Sequence, residues 1–333
     1  MAGDVFTVTS GKGGVGKTTT AVNLAVALRQ RGHSVAVLDA DLGMPNVAPV
    51  VGIDPETTLH DVLSGEASVE DATTEIAEGF GVLAGDTTLE GFAAADPDEL
   101  ERVVDALAEQ YRYVLVDTGG GLSYEGVLPL ELGDEVLLVT APDPAAVGDT
   151  EKSKQLADRL GVPVRGVIVT HATAETDTEA IADRLGVPFL GSVPRDERVT
   201  QSAARGEPIA AHAPDSDAAE AYDWIAATLV EATDAPLEPP ESDAIGAKDS
   251  ADEATAESEA EEPAEETTDE SAEADELDEA ETAESDTAVQ ETELAENGQS
   301  TEATTKSEAE PVEAEPDAEK EDGFFSRIAG IFR

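Results

Sequence analysis

Gly11-Lys12-Gly13-Gly14-Val15-Gly16-Lys17-Thr18 joins a strand-like run, Val5–Thr9, to a helix-like stretch, Thr18–Gln30. The spacing Gly-x-x-x-x-Gly-Lys-Thr between a strand and a helix is the pattern of a phosphate-binding loop. Its glycines let backbone N–H groups point inward around phosphate oxygens, and the helix N-terminus adds its dipole. The alternative is a glycine-rich turn without a ligand, which the complete motif disfavours.

The loop predicts ATP and Mg²⁺ as the bound groups. Lys17 is expected to reach the β- and γ-phosphate oxygens, and Thr18 to place its hydroxyl on Mg²⁺. Nucleotide contacts are predicted along the loop and one residue beyond it, at Gly11, Lys12, Gly13, Gly14, Val15, Gly16, Lys17, Thr18 and Thr19.

Carboxylates end two further strand-like runs. Asp117 closes Tyr113–Asp117 in the Walker B pattern, and Asp39 and Asp41 close the run that starts at Val35. Ligands of an open parallel sheet bind outside the carboxyl ends of its strands, so these acids are expected beside the phosphate loop. A single strand-end aspartate is more often a cap or a turn residue, but three at one edge favour a functional role.

Strand-like and helix-like segments alternate up to about residue 232. The strands are short and rich in valine, as expected for strands buried on both faces. This alternation predicts an α/β fold, a mostly parallel sheet with helices on both faces. The predicted strands are Val5–Thr9, Ser34–Asp39, Gly81–Ala84, Tyr113–Asp117, Glu135–Thr140, Val164–Thr170 and Phe189–Val193, and the predicted helices are Thr18–Gln30, Pro97–Gln110, Ala145–Leu160, Thr178–Leu185 and Asp217–Glu231.

Acidic residues dominate the whole chain, whose net charge is −56. Residues 1–235 hold 41 Asp and Glu against 14 Lys and Arg, a net charge of −27. We expect a salt-adapted source, since at about 1 M salt the Debye length shrinks to about 3 Å and self-repulsion is screened. We expect no nucleic-acid partner, because binding to nucleic acid needs clustered cations. The absence of cysteine excludes disulfides, thiolate metal sites and iron–sulfur clusters.

Composition divides the chain into a predicted ATPase domain, residues 1–234, an acidic segment, 235–322, and a terminal peptide, 323–333. The acidic segment has few large apolar side chains and is predicted to be disordered. No run approaches 18 apolar residues and no secretory signal opens the chain, so we expect no membrane span. The terminal peptide predicts an interfacial amphipathic helix that places one apolar stripe on a membrane, formed by Phe324, Phe325, Ile328, Ile331 and Phe332. A helix that docks on a partner protein or caps the chain's own domain is the alternative.

Several motifs together resemble the MinD/ParA family, and the MinD branch more than ParA. Lys12 makes the loop similar to that family's deviant Walker A motif. Residues 38–46 resemble its switch I, residues 58–63 its next helix and residues 116–121 its switch II. Val193–Val199 and the later Gly206-Glu207-Pro208 resemble its base-binding loop and the segment that follows. The resemblance covers about residues 3–232.

This resemblance implies a role for each matching residue. Lys12 would cross a dimer interface to the partner's phosphates, and an added cation there would stabilise transition-state charge. Asp41 would position the attacking water. The other implied roles are Mg²⁺ binding at Thr18, Asp39 and Asp117, and adenine contacts at Pro194 and Asp196, with Thr170 where relatives often carry an adenine-contacting Asn.

The resulting interpretation is a homodimerising ATPase in the cytoplasm that binds reversibly to the inner face of the cell membrane and positions an unidentified protein cargo. The alternatives are an ATP-binding scaffold with little turnover, a ParA-like DNA-segregation ATPase, which the acidic surface disfavours, and an iron–sulfur carrier, which the lack of cysteine disfavours. Asp143 and Asp149 are interpreted as helix caps and Trp224 as a core residue. The histidines, His33, His60, His171 and His212, are interpreted as surface or loop residues.

Overall fold

The computed structural model describes residues 2–120 and 124–234, with backbone alone for 124–126 and 232–234. Eight strands form one sheet in the order β3-β4-β2-β5-β1-β6-β7-β8. All neighbours are parallel except β3 and β4, which are antiparallel. The strands are β1 (Asp4–Thr9), β2 (Val35–Asp39), β3 (Thr74–Ala77), β4 (Phe80–Leu83), β5 (Tyr113–Asp117), β6 (Glu135–Thr140), β7 (Val164–Ala172) and β8 (Phe189–Pro194).

Helices cover both faces of the sheet, and a short 3₁₀ turn, Pro97–Glu99, precedes one of them. The helices are α1 (Lys17–Gln30), α2 (Val47–Val51), α3 (Leu59–Leu63), α4 (Val69–Ala72), α5 (Leu89–Ala94), α6 (Leu100–Gln110), α7 (Tyr124–Leu132), α8 (Pro144–Leu160), α9 (Thr178–Leu185), α10 (Glu197–Ala203), α11 (Ile209–His212) and α12 (Asp217–Asp234).

Successive residues of the central strands pack on opposite faces of the sheet. Val35 and Val37 of β2 join the core beneath α1 and α12, whereas Ala36 and Leu38 join the core beneath α3, α4 and α6. A third cluster lies between β6, β7 and the helices α8 and α9. Since side chains alternate in a strand, burial on both faces requires the near-continuous apolar runs seen in the sequence.

The predicted fold class is confirmed, and every predicted strand is present to within two residues. β3 was not predicted, because it is an antiparallel edge strand with a polar, partly exposed pattern. The helices α2, α4, α5, α7, α10 and α11 were also not predicted, since most of them are too short for a helical period to emerge. α3 is the helix that the family resemblance indicated at residues 58–63.

The interpretations of Trp224 and His60 are wrong. Trp224 is 53% exposed because the buried stripe of α12 runs through Tyr222, Ile225 and Leu229, and Trp224 lies to one side of it. His60 is not a surface residue. It belongs to α3, and only 1% of its surface is exposed.

Candidate nucleotide site

The glycine-rich loop leaves the carboxyl end of β1 and starts α1 at Lys17. Gly16 is the N-cap of α1 with φ 92°, and Gly14 has φ 76°. Both angles lie in the left-handed region that favours glycine. The first turn of α1 contains no acidic side chain, so its free N–H groups are available to phosphate oxygens.

Lys17 is the cation of this loop that lies inside the cavity. It is 8% exposed, and it lines the cavity together with Thr18 and Thr19. Burial lowers the pKa of Lys17, while the nearby carboxylates of Asp117 and Asp41 raise it. A buried ammonium that has lost much of its water gains strongly from an anionic ligand such as a phosphate group.

Asp39 and Asp117 are directly opposite each other at the ends of β2 and β5. Both are fully buried, and the Oδ1 atom of each has no hydrogen-bond partner within the described residues. Thr18 Oγ1 donates to Asp117 Oδ2 at 2.5 Å. Burial raises the pKa of Asp39 to about 7, and burial together with the Asp39 charge raises the pKa of Asp117.

These unpaired oxygens fit a divalent cation. Two buried carboxylates with free oxygens and a hydroxyl beside them form a donor set of the kind Mg²⁺ accepts, because Mg²⁺ keeps several waters and takes few protein ligands. In the described part of the chain, no cluster of three or more His, Asp or Glu offers a competing metal site. The other oxygen of Asp39 accepts from Asn46 and Val47 N, both at 2.8 Å, and so caps α2.

Asp41 lines the cavity from the loop between β2 and α2. It is half-buried, and burial raises its pKa. Its Oδ1 accepts from Met44 N at 3.1 Å, which closes a tight turn. The residues 118–120 pack against it, since a Cβ on Gly119 would lie 3.1 Å from Asp41 Oδ1. Asp41 is thus placed to hydrogen-bond a water molecule in the cavity.

The cavity has a volume of about 770 Å³. Pro194 and Asp196 lie in its wall, at the junction of β8 and α10. Asp196 caps α10, and its carboxylate is bound by the Arg198 side chain, which lowers the pKa of Asp196. Asp39, Asp117, Gly11, Lys12 and Val15 do not line the cavity; the two carboxylates lie buried beneath it.

Thr170 braces the phosphate loop, a role that the sequence did not indicate. Its Oγ1 donates to the Val15 carbonyl at 2.7 Å, and the Thr140 carbonyl lies 3.1 Å away. Thr170 also borders the cavity, next to His171, whose φ of 52° is unusual for a side-chain-bearing residue. The hydroxyl hydrogen of Thr170 is therefore directed to backbone carbonyls and holds the loop in place.

Lys12 points away from the cavity. Its Nζ donates to Asp143 Oδ2 at 2.7 Å, and this hydrogen bond raises the pKa of Lys12. Asp143 also caps α8 by accepting from Ala145 and Ala146 N, as the sequence predicted. Asp149 lies within α8 and pairs with Lys152, so its interpretation as a cap is wrong.

A phosphate loop at the end of a central parallel strand, with buried strand-end carboxylates beside it, defines a P-loop nucleotide-binding protein. Residues 6–209 match the CobQ/CobB/MinD/ParA nucleotide binding domain. The chain belongs to this family, as a MinD/ParA P-loop ATPase.

Known relatives are similar along the same part of the chain. An uncharacterised ATP-binding protein of Methanocaldococcus jannaschii is 38% identical over 67% of this chain and 86% of its own length. The solved cell division ATPase MinD of Pyrococcus furiosus is 34% identical, with TM-score 0.66, over 69% of this chain and 99% of that one. The septum site-determining protein MinD of Pyrococcus horikoshii, solved with Mg-ADP, is 33% identical, with TM-score 0.66, over 69% and 97%.

The expectations for residues 235–322 and 323–333 lie outside the described residues, as does Gly121 of the switch II resemblance. Within the described ranges, no helix is both long and apolar enough to cross a membrane.

Proposed function

We propose that this chain is an ATP-hydrolysing switch that dimerises when ATP is bound. It would cycle on and off a membrane surface and thereby position cellular machinery, such as a division site or polar and motility assemblies. The names of the solved relatives, a cell division ATPase and a septum site-determining protein, support this proposal.

The observation that carries the proposal is the position of Lys12. This lysine belongs to the phosphate loop, yet its ammonium lies outside the cavity and is bound to Asp143 of the same chain. The cavity therefore holds one loop cation, Lys17, where the family resemblance implies two. A second copy of the chain would supply the missing charge if its Lys12 exchanged Asp143 for the γ-phosphate across the interface.

Hydrolysis would use groups already held in place. Lys17 and the first-turn N–H groups of α1 would bind the phosphates, while Thr18, Asp39 and Asp117 would hold Mg²⁺, which neutralises charge on the β- and γ-phosphate oxygens. Asp41 would orient the water that attacks the γ-phosphorus as the bond to the bridging oxygen of ADP breaks. The partner's Lys12 would stabilise the charge that develops on the γ-phosphoryl oxygens.

Membrane residence would follow from the terminal peptide. One short amphipathic helix binds a bilayer weakly, whereas two helices in an ATP-bound dimer bind far better through effective concentration. Residues 235–322 would act as a flexible tether that spans roughly 50 Å as a coil. Pro194 and Asp196 would contact adenine from the cavity wall, and a protein cargo or activator would join the dimer.

Vesicle co-sedimentation in 2 M KCl tests the membrane arm. The full chain is mixed with anionic-lipid vesicles and Mg-ATP or Mg-ADP, and compared with a chain that lacks residues 324–333. A matched control lacks residues 300–309 of the acidic segment instead. The full chain and the control without residues 300–309 should bind the vesicles with Mg-ATP and not with Mg-ADP. The chain without residues 324–333 should bind with neither nucleotide. Equal binding by the two shortened chains would reject the membrane helix.

Fluorescent fusions of the same chains test the switch in cells, with Lys17→Ala to remove ATP binding and Asp41→Ala to remove hydrolysis. We expect Lys17→Ala to be diffuse and Asp41→Ala to stay on the membrane with misplaced cargo. If membrane occupancy and cargo placement were unchanged in Asp41→Ala, hydrolysis would not be the operating step.

A further inference from the structure

His60 is a buried histidine whose two ring nitrogens are both hydrogen-bonded. Nδ1 accepts from the backbone N–H of Asp86 at 2.9 Å, so it carries no proton. Nε2 lies 3.1 Å from the carbonyl oxygen of Leu42, which can only accept, so Nε2 carries the proton. The two partners thus select one neutral tautomer, and the ring forms a bridge between two loops.

The Leu42 end of this bridge lies in switch I, residues 38–46, directly after Asp41. The ends of switch I are held independently of His60. Ala40 N donates to the Asp117 carbonyl at 2.8 Å, and Asn46 N donates to Asp39 Oδ2 at the same distance. Among the described residues, the hydrogen bond that ties the middle of switch I, residues 41–44, to another element is the one from His60.

The Asp86 end of the bridge lies in the loop after β4, and this loop packs tightly against switch I. A Cβ on Gly85 would lie 2.6 Å from Pro45 Cβ and 3.3 Å from His60 Cε1. The Leu42 side chain is 5% exposed and packs in the same core cluster as Leu59, the neighbour of His60 in α3. Switch I therefore has little freedom on this side as long as the ring keeps both bonds.

We propose that His60 is a positioning residue for ATP hydrolysis, which holds the Leu42 carbonyl and so sets the place of Asp41 in the cavity. The inference rests on the proposed function, in which Asp41 orients the attacking water. Loss of the Leu42 bond would leave the ends of switch I attached and its middle free to shift. A misplacement of about 1 Å at a reacting group can lower a rate by about a hundredfold.

Two amide substitutions separate the two halves of the bridge. In His60→Gln, the amide nitrogen can take the place of Nε2 and keep the bond to Leu42. In His60→Asn, the amide oxygen can take the place of Nδ1 and keep the bond to Asp86, while the bond to Leu42 is lost. Each variant loses one buried hydrogen bond, so each serves as the stability control for the other.

Steady-state phosphate release at saturating Mg-ATP is the first measurement, with ATP affinity from a fluorescent analogue and the unfolding midpoint of each variant. We expect kcat to fall about tenfold in His60→Asn and to be largely restored in His60→Gln, within about twofold of wild type. ATP affinity should change less than twofold in either variant, because neither contacts the phosphate loop. Equal kcat in the two variants, or a loss of ATP binding that matches the loss of kcat, would overturn the proposal.

Amide hydrogen exchange of residues 40–46 with Mg-ADP bound gives a readout that does not depend on hydrolysis. The proposal requires faster exchange in His60→Asn than in His60→Gln, and equal exchange would overturn it. A wild-type chain that binds ATP but releases no more phosphate than Asp41→Ala would instead reject the proposed function, and the exchange comparison would still decide the role of His60.

Discussion

Two buried carboxyl groups, Asp39 and Asp117, lie side by side, and one oxygen of each has no hydrogen-bond partner among the residues that the structure describes. Two charges in this position repel each other and have lost their water, which is why their pKa values are raised. Such a pair is costly in a folded chain unless a cation joins it, so we expect Mg²⁺ at this site to offset a cost that the nucleotide-free fold carries.

Asp39→Asn tests this cost through pH. The folded pKa of Asp39 is about 7, above the unfolded value near 4, so between these values the folded chain holds the proton and the unfolded chain has lost it. Without Mg²⁺, the contribution of Asp39 to stability is therefore lost as pH rises across this window, by on the order of a few kcal/mol.

The amide keeps an oxygen for capping α2 but does not titrate. In urea unfolding at constant KCl without Mg²⁺, Asp39→Asn should be the more stable chain at pH 7.5, and its advantage should shrink toward pH 5. Mg-ATP should stabilise the Asp39→Asn chain less than it stabilises the wild-type chain. An advantage that is the same at both pH values would contradict the assigned cost.

Asp143→Asn tests the resting position of Lys12. The amide still caps α8 but no longer attracts the ammonium, so Lys12 should reach a partner more readily. Because an exposed ion pair contributes little, we expect ATP-dependent dimerisation at about half the wild-type protein concentration. Light scattering in an Asp41→Ala background measures this, and Asp158→Asn, which removes the pair with Lys154 farther along α8, is the matched control. If the protein concentration needed for dimerisation fell equally in Asp143→Asn and Asp158→Asn, the change in net charge alone would explain the effect.

Single site residues can be proposed from sequence most directly where chemistry requires one residue type. Lys17, Thr18 and Asp117 follow from the spacing of their motifs, and the structure brings Thr18 and Asp117 into hydrogen-bond contact. The bridging role of His60 had no such signal, since a lone histidine without metal spacing looks like any other. Its function depends on two backbone groups, Leu42 and Asp86, whose meeting is decided by packing.

At the scale of elements, the site depends on how closely α8 approaches the phosphate loop. A Cβ on Gly11 would lie 2.0 Å from the Asp149 carbonyl oxygen, whereas one on Gly13 would meet nothing within 4 Å. The backbone of α8 thus rests directly on the loop that holds the phosphates. The need for glycine differs between these two positions, although the motif shows glycine at both.

Gly11→Ala should therefore push α8 and the loop apart, while Gly13→Ala serves as its control. Overpacking of a well-filled contact costs about 1–3 kcal/mol, and a substitution into open space changes stability by less than about 0.5 kcal/mol. Urea unfolding of the nucleotide-free chains measures the difference. Matching unfolding midpoints would show that α8 can move aside at no cost.

Long elements were predictable because their patterns repeat. Apolar runs or helical caps in the sequence indicate the buried strands and the helices α1, α8, α9 and α12. The antiparallel β3 and the short α5, which buries none of its side chains, carry no pattern of their own. β3 depends on its pairing with β4, a tertiary contact that local sequence reasoning does not reveal. α5 begins at a local cap, the Thr88 side chain, which accepts from Gly91 N.

At the scale of the whole molecule, charge is the dominant feature. Residues 1–235 carry a net charge of −27, and Lys12 and Lys17 are two of the four lysines there, with Lys152 and Lys154. Folding therefore brings many negative charges close together, and salt screens the repulsion between them.

We expect the unfolding midpoint to rise steeply with KCl up to about 0.5 M and more slowly beyond, because the Debye length falls from about 10 Å at 0.1 M to about 3 Å at 1 M. Thermal unfolding across a KCl series measures this, and a sucrose series controls for exclusion of solutes from the surface, which grows steadily with concentration. If the unfolding midpoint rose linearly with KCl from the lowest concentration, the stabilisation would be due to exclusion of salt from the protein surface and not to charge screening.

The central position of β1 also determines how a nucleotide can leave. β1 is hydrogen-bonded on both sides, to β5 and β6, and the phosphate loop grows from its end. Within the described part of the chain, β8, which carries Pro194, pairs only with β7, and the register of this pair is interrupted. Strands in the middle of a sheet open only when the whole domain unfolds, whereas edges open locally and often. The phosphate side of the cavity therefore rests on a central strand and its Pro194 side on an edge strand. We expect local opening at that edge, and not at β1, to set the lifetime of bound nucleotide.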